Sequence, residues 1–316
     1  MKKLTRNETA DFLLTHDNYA ILSHRRPDGD TLGSTAALCR ILRNMGKTAH
    51  ILDNAQASPF LNRCLLGLTK AAPEEADLLI SVDVASPQML PNEHLQYLER
   101  IALRIDHHAS ATSFTPMELV DATSAACGEI IYDLLMAMGA EMTKDIAWRL
   151  YIAISTDTGC FRYANTSANT YRVAAACAET GADLYPITQE LFDTTSIPVL
   201  KLKNWVVDNA RFLRGGQAAV CAISKAMEST VPAESMEGIS GFLRSIEGVR
   251  ISATLRETES GCKVSVRAVP GLDAGAICSR FGGGGHKGAA GASLSMPMED
   301  ALEIVAAALE RALEEA

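Results

Sequence analysis

Short apolar runs alternate with helical periodicities over the first half of the chain. Tyr19–His24 (YAILSH) reads as a strand. Behind it Leu38, Ile41, Leu42 and Met45 recur at i, i+3, i+4 and i+7, which predicts a helix over Thr31–Met45 stopped by Gly46. Further strands are predicted at Thr48–Leu52, Leu78–Val82 and Ala102–Ile105, and helices at Ser124–Met138, Thr143–Ser155 and Ala168–Glu179. The strand runs are short and mostly unalternating, as expected when both faces of a parallel sheet are buried. Strands taking turns with helices predict an α/β domain over residues 1–185, a parallel sheet with helices on both faces.

Residues 186–209 carry Pro186 and Pro198 beside helical stretches at Thr188–Phe192 and Leu200–Asp208, and read as a helical connector. From 210 onward the period changes. Gln217–Ile223 is a predicted strand. Val249–Arg256 and Cys262–Ala268 alternate across a Glu-Ser-Gly turn, so they read as an antiparallel pair. Helices follow at Asp273–Phe281 and Met298–Glu314. This predicts a smaller α+β domain over 210–316. The apolar spacing of its last helix suits core packing or a dimer face.

Composition narrows the function. The 316 residues hold 29 Lys and Arg against 38 Asp and Glu, a net charge of −9. A surface that binds long duplex nucleic acid or an anionic membrane is broadly basic, so neither partner is expected. No apolar run is long enough for a membrane span, and the start, MKKLTRNETADFLL, lacks the apolar core of a secretory signal. The eight cysteines include no C-x-x-C pair and sit mostly in apolar segments, which reads as buried thiols in a cytoplasmic protein.

The chemistry gathers where strands end. The first strand runs into His24-Arg-Arg-Pro-Asp28-Gly-Asp30, the third into Asp83, and the fourth into Asp106-His107-His108. A further cluster, Asp157-Thr-Gly-Cys-Phe-Arg162-Tyr-Ala-Asn165, follows a helix. In an open parallel sheet the carboxyl ends of the strands form one crevice, so these clusters should converge. Crowded carboxylates repel and are costly to desolvate, so a cation must compensate. Imidazole mixed with carboxylate suits Mn, Fe, Co or Zn better than Mg or Ca. There are more ligands than one ion needs, which predicts two metals sharing a carboxylate. His16, His50 and His94 have no such company and read as surface or structural histidines.

The second domain carries Val264-Ser-Val-Arg267 and Arg280-Phe-Gly-Gly283-Gly284-Gly285-His286-Lys-Gly. No Gly-Lys-Ser/Thr follows these glycines, so a nucleoside triphosphate loop is not expected. With Arg280, His286 and Lys287 beside it, the loop suits an anion that bare glycine amides can approach closely.

Taken together, Asp106-His107-His108, His24-x-x-x-Asp28-Gly-Asp30, Asp83, Asp157 and the glycine–histidine segment closely resemble the DHH phosphoesterase family with its DHHA1 domain. The resemblance covers nearly the whole chain, and its form is most similar to the NrnA-type bifunctional oligoribonucleases (nanoRNases) that also dephosphorylate 3′-phosphoadenosine 5′-phosphate (pAp). The resemblance implies two divalent cations, Mn²⁺ the preferred ion. It assigns His24 and Asp28 to one ion, Asp30, His107 and Asp157 to the other, and Asp83 to both. It implies that Asp106 orients a histidine, that His108 acts on substrate phosphate or the leaving oxygen, and that Arg162, Asn165, Arg267, Gly283, Gly284, Gly285 and His286 contact substrate. The expected reaction is in-line attack on phosphorus by metal-activated hydroxide. The expected partners are short single-stranded RNA, dinucleotides and pAp, with a homodimer compatible. Other readings stay open on the same scaffold: a c-di-AMP or linear dinucleotide phosphodiesterase, an inorganic pyrophosphatase, which would leave the glycine–histidine domain unexplained, and a metal-dependent nucleotide-binding regulator without turnover.

Overall fold

The computed structural model describes residues 1–54, 61–73, 76–109, 112–231, 236 and 238–316. The chain divides into two compact units, Met1–Thr194 and Thr195–Ala316.

In the first unit the elements run β1 (Lys2–Lys3), α1 (Arg6–Thr15), β2 (Tyr19–Leu22), α2 (Gly29–Asn44), β3 (Ala49–Leu52), β4 (Thr69–Lys70), β5 (Leu78–Val82), β6 (Ile101–Asp106), β7 (Met117–Val120), α3 (Cys127–Ala137), α4 (Lys144–Asp157), α5 (Ala168–Glu179) and α6 (Tyr185–Thr188). Among the described residues the strands form one parallel sheet of seven, in the order β1-β7-β6-β5-β2-β3-β4. Ile21, Ile51, Ile80, Val82, Leu103 and Ile105 face the α-helices, where Leu13, Leu38, Ile130, Leu150 and Val173 complete the larger core. Ala20, Leu22, Leu52 and Ile101 face the other way, beneath 3₁₀ turns at Pro87–Met89 and Asn92–Arg100. Helical segments thus cover both faces, α on one and 3₁₀ on the other.

The strand order brings the chemistry together. β2, β5 and β6 are consecutive neighbours, so the segments that follow them emerge side by side. From β2 the chain moves outward to β3 and β4, then returns to the other side of β2 through β5 and β6. That reversal is a topological switch point, where the loops leave a crevice.

A second constraint is the close approach of α2 to α4. A Cβ at Gly33 would lie 2.5 Å from the Arg149 carbonyl oxygen and 2.9 Å from Ala153 N, and one at Gly29 would meet the Thr156 side chain at 2.3 Å. Glycine at both positions lets the start of α2 lie against the last turns of α4.

The second unit holds α7 (Ile197–Asn209), β8 (Arg211–Leu213), β9 (Ala218–Ile223), α8 (Lys225–Glu228), α9 (Ile239–Phe242), β10 (Ile251–Thr258), β11 (Gly261–Ala268), α10 (Ala274–Ser279), β12 (Gly284–His286), β13 (Ala289–Leu294) and α11 (Met298–Glu314). Its mixed sheet has the order β12-β13-β11-β10-β9-β8. The predicted hairpin is present: β10 and β11 pair antiparallel, with Thr258 opposite Gly261. One face packs on α10 and α11, whose Ala301, Val305 and Leu309 are buried there. The other packs on Leu202 and Val206 of α7 and Ile239 of α9. The glycine segment forms an edge strand. Gly283 and Gly285 lie so close to β13 that a Cβ would come within 2.2 Å of the Gly291 oxygen or 2.6 Å of Ala290 Cα.

All eight cysteines are free, and seven are buried; Cys160 is half-buried. His50 and His94 are buried and His16 is exposed against the Phe12 ring. Among the described residues no helix is long and apolar enough to cross a membrane.

Candidate metal centre

Six side chains from five segments of the first unit converge above β2, β5 and β6. Asp28 is the N-cap of α2: its Oδ1 accepts from the Thr31 amide at 3.0 Å. Asp30, in the first turn, turns inward and is fully buried. Its carboxylate sits on the N-terminus of α3, accepting from the amides of Cys127 at 2.6 Å and Gly128 at 2.9 Å, and from the Ser34 hydroxyl at 2.9 Å. A helix N-terminus favours negative charge, so α3 holds this carboxylate in place.

Asp83 follows β5 in a left-handed conformation, φ 60°, which costs a non-glycine residue roughly 1–2 kcal/mol. Its Oδ2 accepts from the Thr31 hydroxyl at 2.5 Å and lies 3.8 Å from His24 Nε2. Oδ1 lies 3.6 Å from His107 Nε2 and is buried without a hydrogen-bond partner.

The histidines are oriented by their other ring nitrogens. His24 Nδ1 lies 2.7 Å from the Arg25 carbonyl oxygen, and His107 Nδ1 lies 3.3 Å from the Ser124 carbonyl oxygen. With Nδ1 turned to those carbonyls, each Nε2 faces the carboxylates, where it could serve as a ligand once a cation replaces its proton. His107 Nε2 lies 3.3 Å from Asp157 Oδ2 and 3.6 Å from Asp30 Oδ2. His108 points its Nδ1 at Asp106 Oδ1, 2.8 Å away.

Among the described residues, three groups of ligand atoms could hold a metal ion: His24, Asp28 and Asp83; Asp30, His107 and Asp157; and Asp83, His107 and His108. Asp83 is shared by the first and third. The electrostatics agree with a missing positive charge. Burial, then repulsion from Asp28, pushes the Asp83 carboxyl up to about 6. Burial raises Asp30 well above the carboxylate range, with Asp83 and Asp157 adding to it, and burial raises Asp157 as well. Burial opposes charge on His107, yet its hydrogen bond with Asp157 and the charges of Asp30 and Asp83 push it up to about 10. The hydrogen bond that His108 donates to Asp106 raises its pKa against the effect of burial. Buried like charges with an orphaned carboxylate oxygen are what divalent cations would relieve. The residues present therefore fit a metal centre.

Two predicted residues in this unit have structural partners. Asn165 Nδ2 donates to the carbonyls of Ala125 and Asp157, both at 3.1 Å, and so ties the loop after Asp157 to the start of α3. Arg162 Nε donates to the Gly159 carbonyl at 2.6 Å and its guanidinium lies 5.7 Å from the Phe192 ring. Arg267 and His286 are in the second unit. Both stand opposite Ala289, on either side of β13, so they share a row on one face of that sheet.

Sequence reasoning missed the supports. Thr31 bridges Asp28 and Asp83, Ser34 holds Asp30, and the Cys127 and Gly128 amides cradle it. Thr31 stands three residues after the Asp28 cap, a spacing that could have been read as capping. The backbone amides leave no mark in the sequence.

The comparisons with known proteins follow the same division. The family model for the DHH N-terminal domain matches residues 18–154, and that for the DHHA1 domain matches 215–315. The chain is 33% identical over 298 residues to the bifunctional oligoribonuclease and PAP phosphatase NrnA of Thermus thermophilus, covering 93% of this chain and 89% of that protein. It is 27% identical to the protein of the same name from Bacillus subtilis, over 88% of this chain and 90% of that one. The fold matches the crystal structure of an exopolyphosphatase-related protein from Bacteroides fragilis with a TM-score of 0.87 at 24% identity, over 97% and 95% of the two chains. The chain belongs to the DHH family in its DHHA1-bearing form, and within that to the NrnA-type branch.

Proposed function

We propose that this chain is a dinuclear-metal phosphoesterase, loaded with Mn²⁺, that hydrolyses short oligoribonucleotides and pAp. The observation that carries the reading is the placement of Asp83, one oxygen facing His24 and the other facing His107. A carboxylate so placed can serve two ions at once. The relatives named as oligoribonucleases and PAP phosphatases support the substrate class.

His24, Asp28 and Asp83 would hold one ion. Asp30, His107 and Asp157, with the other oxygen of Asp83, would hold the second. Bound there, two divalent cations supply Lewis-acid charge to phosphoryl oxygens and lower the pKa of water. The protein's share is orientation. Thr31 keeps Asp83 turned toward both groups, and the first amides of α3 hold Asp30 in place. His108 has its Nδ1 on Asp106, which leaves Nε2 for a phosphate oxygen or for protonating the leaving oxygen. In the second unit Arg267, His286 and the amides of Gly283–Gly285 would bind an anionic end of the nucleotide, Arg267 by its paired donors.

The test is a substrate panel. Protein stripped with a chelator would be assayed with pAp, RNA from dinucleotide to decanucleotide, pGpG, c-di-AMP and long RNA, with and without Mn²⁺. Turnover of pAp and the shortest RNAs only with metal, falling as length grows, is the expected result. Preference for c-di-AMP or for the long strand would overturn the substrate assignment.

A further inference from the structure

Arg104 carries its charge in the interior and belongs to no ligand group. It is 1% exposed. It stands on β6 two residues before Asp106, so both side chains leave the same face of the strand. Glu118 on β7 lies directly beside it in register. Nη2 donates to Glu118 Oε2 at 2.5 Å, and Nη1 donates to the carbonyls of Thr112 at 2.8 Å and Ala85 at 3.2 Å. The guanidinium also lies 5.2 Å from the Phe114 ring centroid. Ser113 Oγ lies 3.2 Å from both oxygens of Glu118.

Asp106 has no access to solvent. Its Oδ1 lies 2.9 Å from the His107 amide, 3.3 Å from the His108 amide and 2.8 Å from His108 Nδ1. Its Oδ2 accepts no hydrogen bond and lies 3.9 Å from Arg104 Nη1. A buried carboxylate with one oxygen unsatisfied needs a compensating charge, and Arg104 supplies it. The same guanidinium grips Thr112, on the far side of the two histidines. It therefore holds the chain after His108 while placing its charge 3.9 Å from the carboxylate before it.

We propose that Arg104 is a positioning residue for His108, acting through Asp106, with Glu118 as the counter-charge that allows a guanidinium to be buried there. The proposal rests on the reading above, that His108 acts in phosphoester hydrolysis.

The test is a double-mutant cycle on the Mn²⁺-loaded full chain. Arg104→Met combined with Glu118→Gln removes the guanidinium without leaving a buried unpaired carboxylate at 118. Bound Mn²⁺, KM and kcat on pAp, and the unfolding midpoint would be measured with His108 present and in a His108→Ala background. Bound metal and KM should stay within about twofold while kcat falls roughly 10–100-fold, the loss expected for a partner one step behind the reacting groups. In the His108→Ala background the same pair should cost less than about twofold more, because residues that act as one unit are not additive. Arg104→Lys, which keeps the charge, should recover part of kcat. Equal losses in both backgrounds, or unchanged kcat with His108 present, would overturn the proposal. If the double variant fails to fold, Arg104→Lys run through the same cycle decides by the same criterion. If the wild-type chain binds Mn²⁺ but turns over neither pAp nor short RNA, the functional reading fails. Positioning is then read from the downfield imidazole N–H resonance that disappears in His108→Ala. Its loss in the double variant supports the proposal, and its persistence unchanged overturns it.

Discussion

Asp30 and Gly128 meet across 98 positions of sequence, the Gly128 amide donating to Asp30 Oδ1 at 2.9 Å at the first turn of α3. A group assigned to a metal is thus also a helix cap, and both of its oxygens accept backbone N–H groups. Asp30→Asn must turn an NH₂ toward one of those donors. The expected cost is roughly 1–3 kcal/mol of stability even without metal, together with loss of one ion. Denaturation of the metal-free variant measures the first and metal titration the second. Unchanged metal-free stability would contradict the capping role.

His107→Ala and His108→Ala should fail differently. His107 presents Nε2 to three carboxylates, so its loss should lower bound metal. His108 spends Nδ1 on Asp106, so its loss should lower kcat by about 10²–10⁴ with metal retained. Metal content and single-turnover rates separate the two. Equal metal loss in both would show that His108 is a ligand, as its place beside Asp83 and His107 permits.

Gly33→Ala tests whether helix spacing sets the site. The new Cβ would lie 2.5 Å from the Arg149 carbonyl oxygen, with backbone on the far side, so α2 and α4 must separate. Overpacking of this kind costs roughly 1–3 kcal/mol. Because α2 carries Asp28 and Asp30 while α4 ends in Asp157, metal affinity should fall along with the unfolding midpoint. A variant that loses stability but binds metal as wild type would show that the centre tolerates a shift of these helices.

Asp121 gives a pH dependence away from the candidate metal centre. Burial alone would raise its carboxyl, but hydrogen bonds from Thr123 and Arg6 outweigh that and hold it at about 2. Its folded value lies below its unfolded value, so the stability it contributes is present above about pH 4 and is lost as pH falls toward 2. Both partners of its Arg6 pair are partly exposed, which limits the contribution to about 1 kcal/mol. The stability difference between wild type and Asp121→Asn should be flat near neutral pH and shrink below pH 4. A difference that grows on acidification would reverse the sign.

Much of this was legible in the sequence because buried parallel strands read as apolar runs that end abruptly in charge. Leu78–Val82, Ala168–Glu179 and Met298–Glu314 have the predicted bounds. β7 escaped because Glu118 interrupts its apolar run, and only the structure shows that Arg104 neutralises it in the interior. α1 escaped because only Thr9, Ala10 and Leu13 of its ten residues are buried. β12 and β13 are rich in glycine and alanine, residues with little β preference, so their apolar pattern is weak, although Gly285 lies so close to β13 that a Cβ would come within 2.6 Å of Ala290 Cα. At the site, candidate ligands could be named because metals demand particular side chains. The hydroxyls and amides that hold them follow no periodicity.

The central claim is that Asp83 joins two ions, and counting bound Mn²⁺ in Asp83→Asn tests it most directly. Asparagine keeps the size of the side chain but has one neutral oxygen in place of a shared negative pair. Wild type should hold two Mn²⁺ per chain. The variant should stay folded, hold fewer than one tightly, and lose at least about 10³ in kcat/KM on pAp, since both the shared charge and the activated water depend on the pair. Two tightly bound ions with near-normal turnover in the variant would contradict the account.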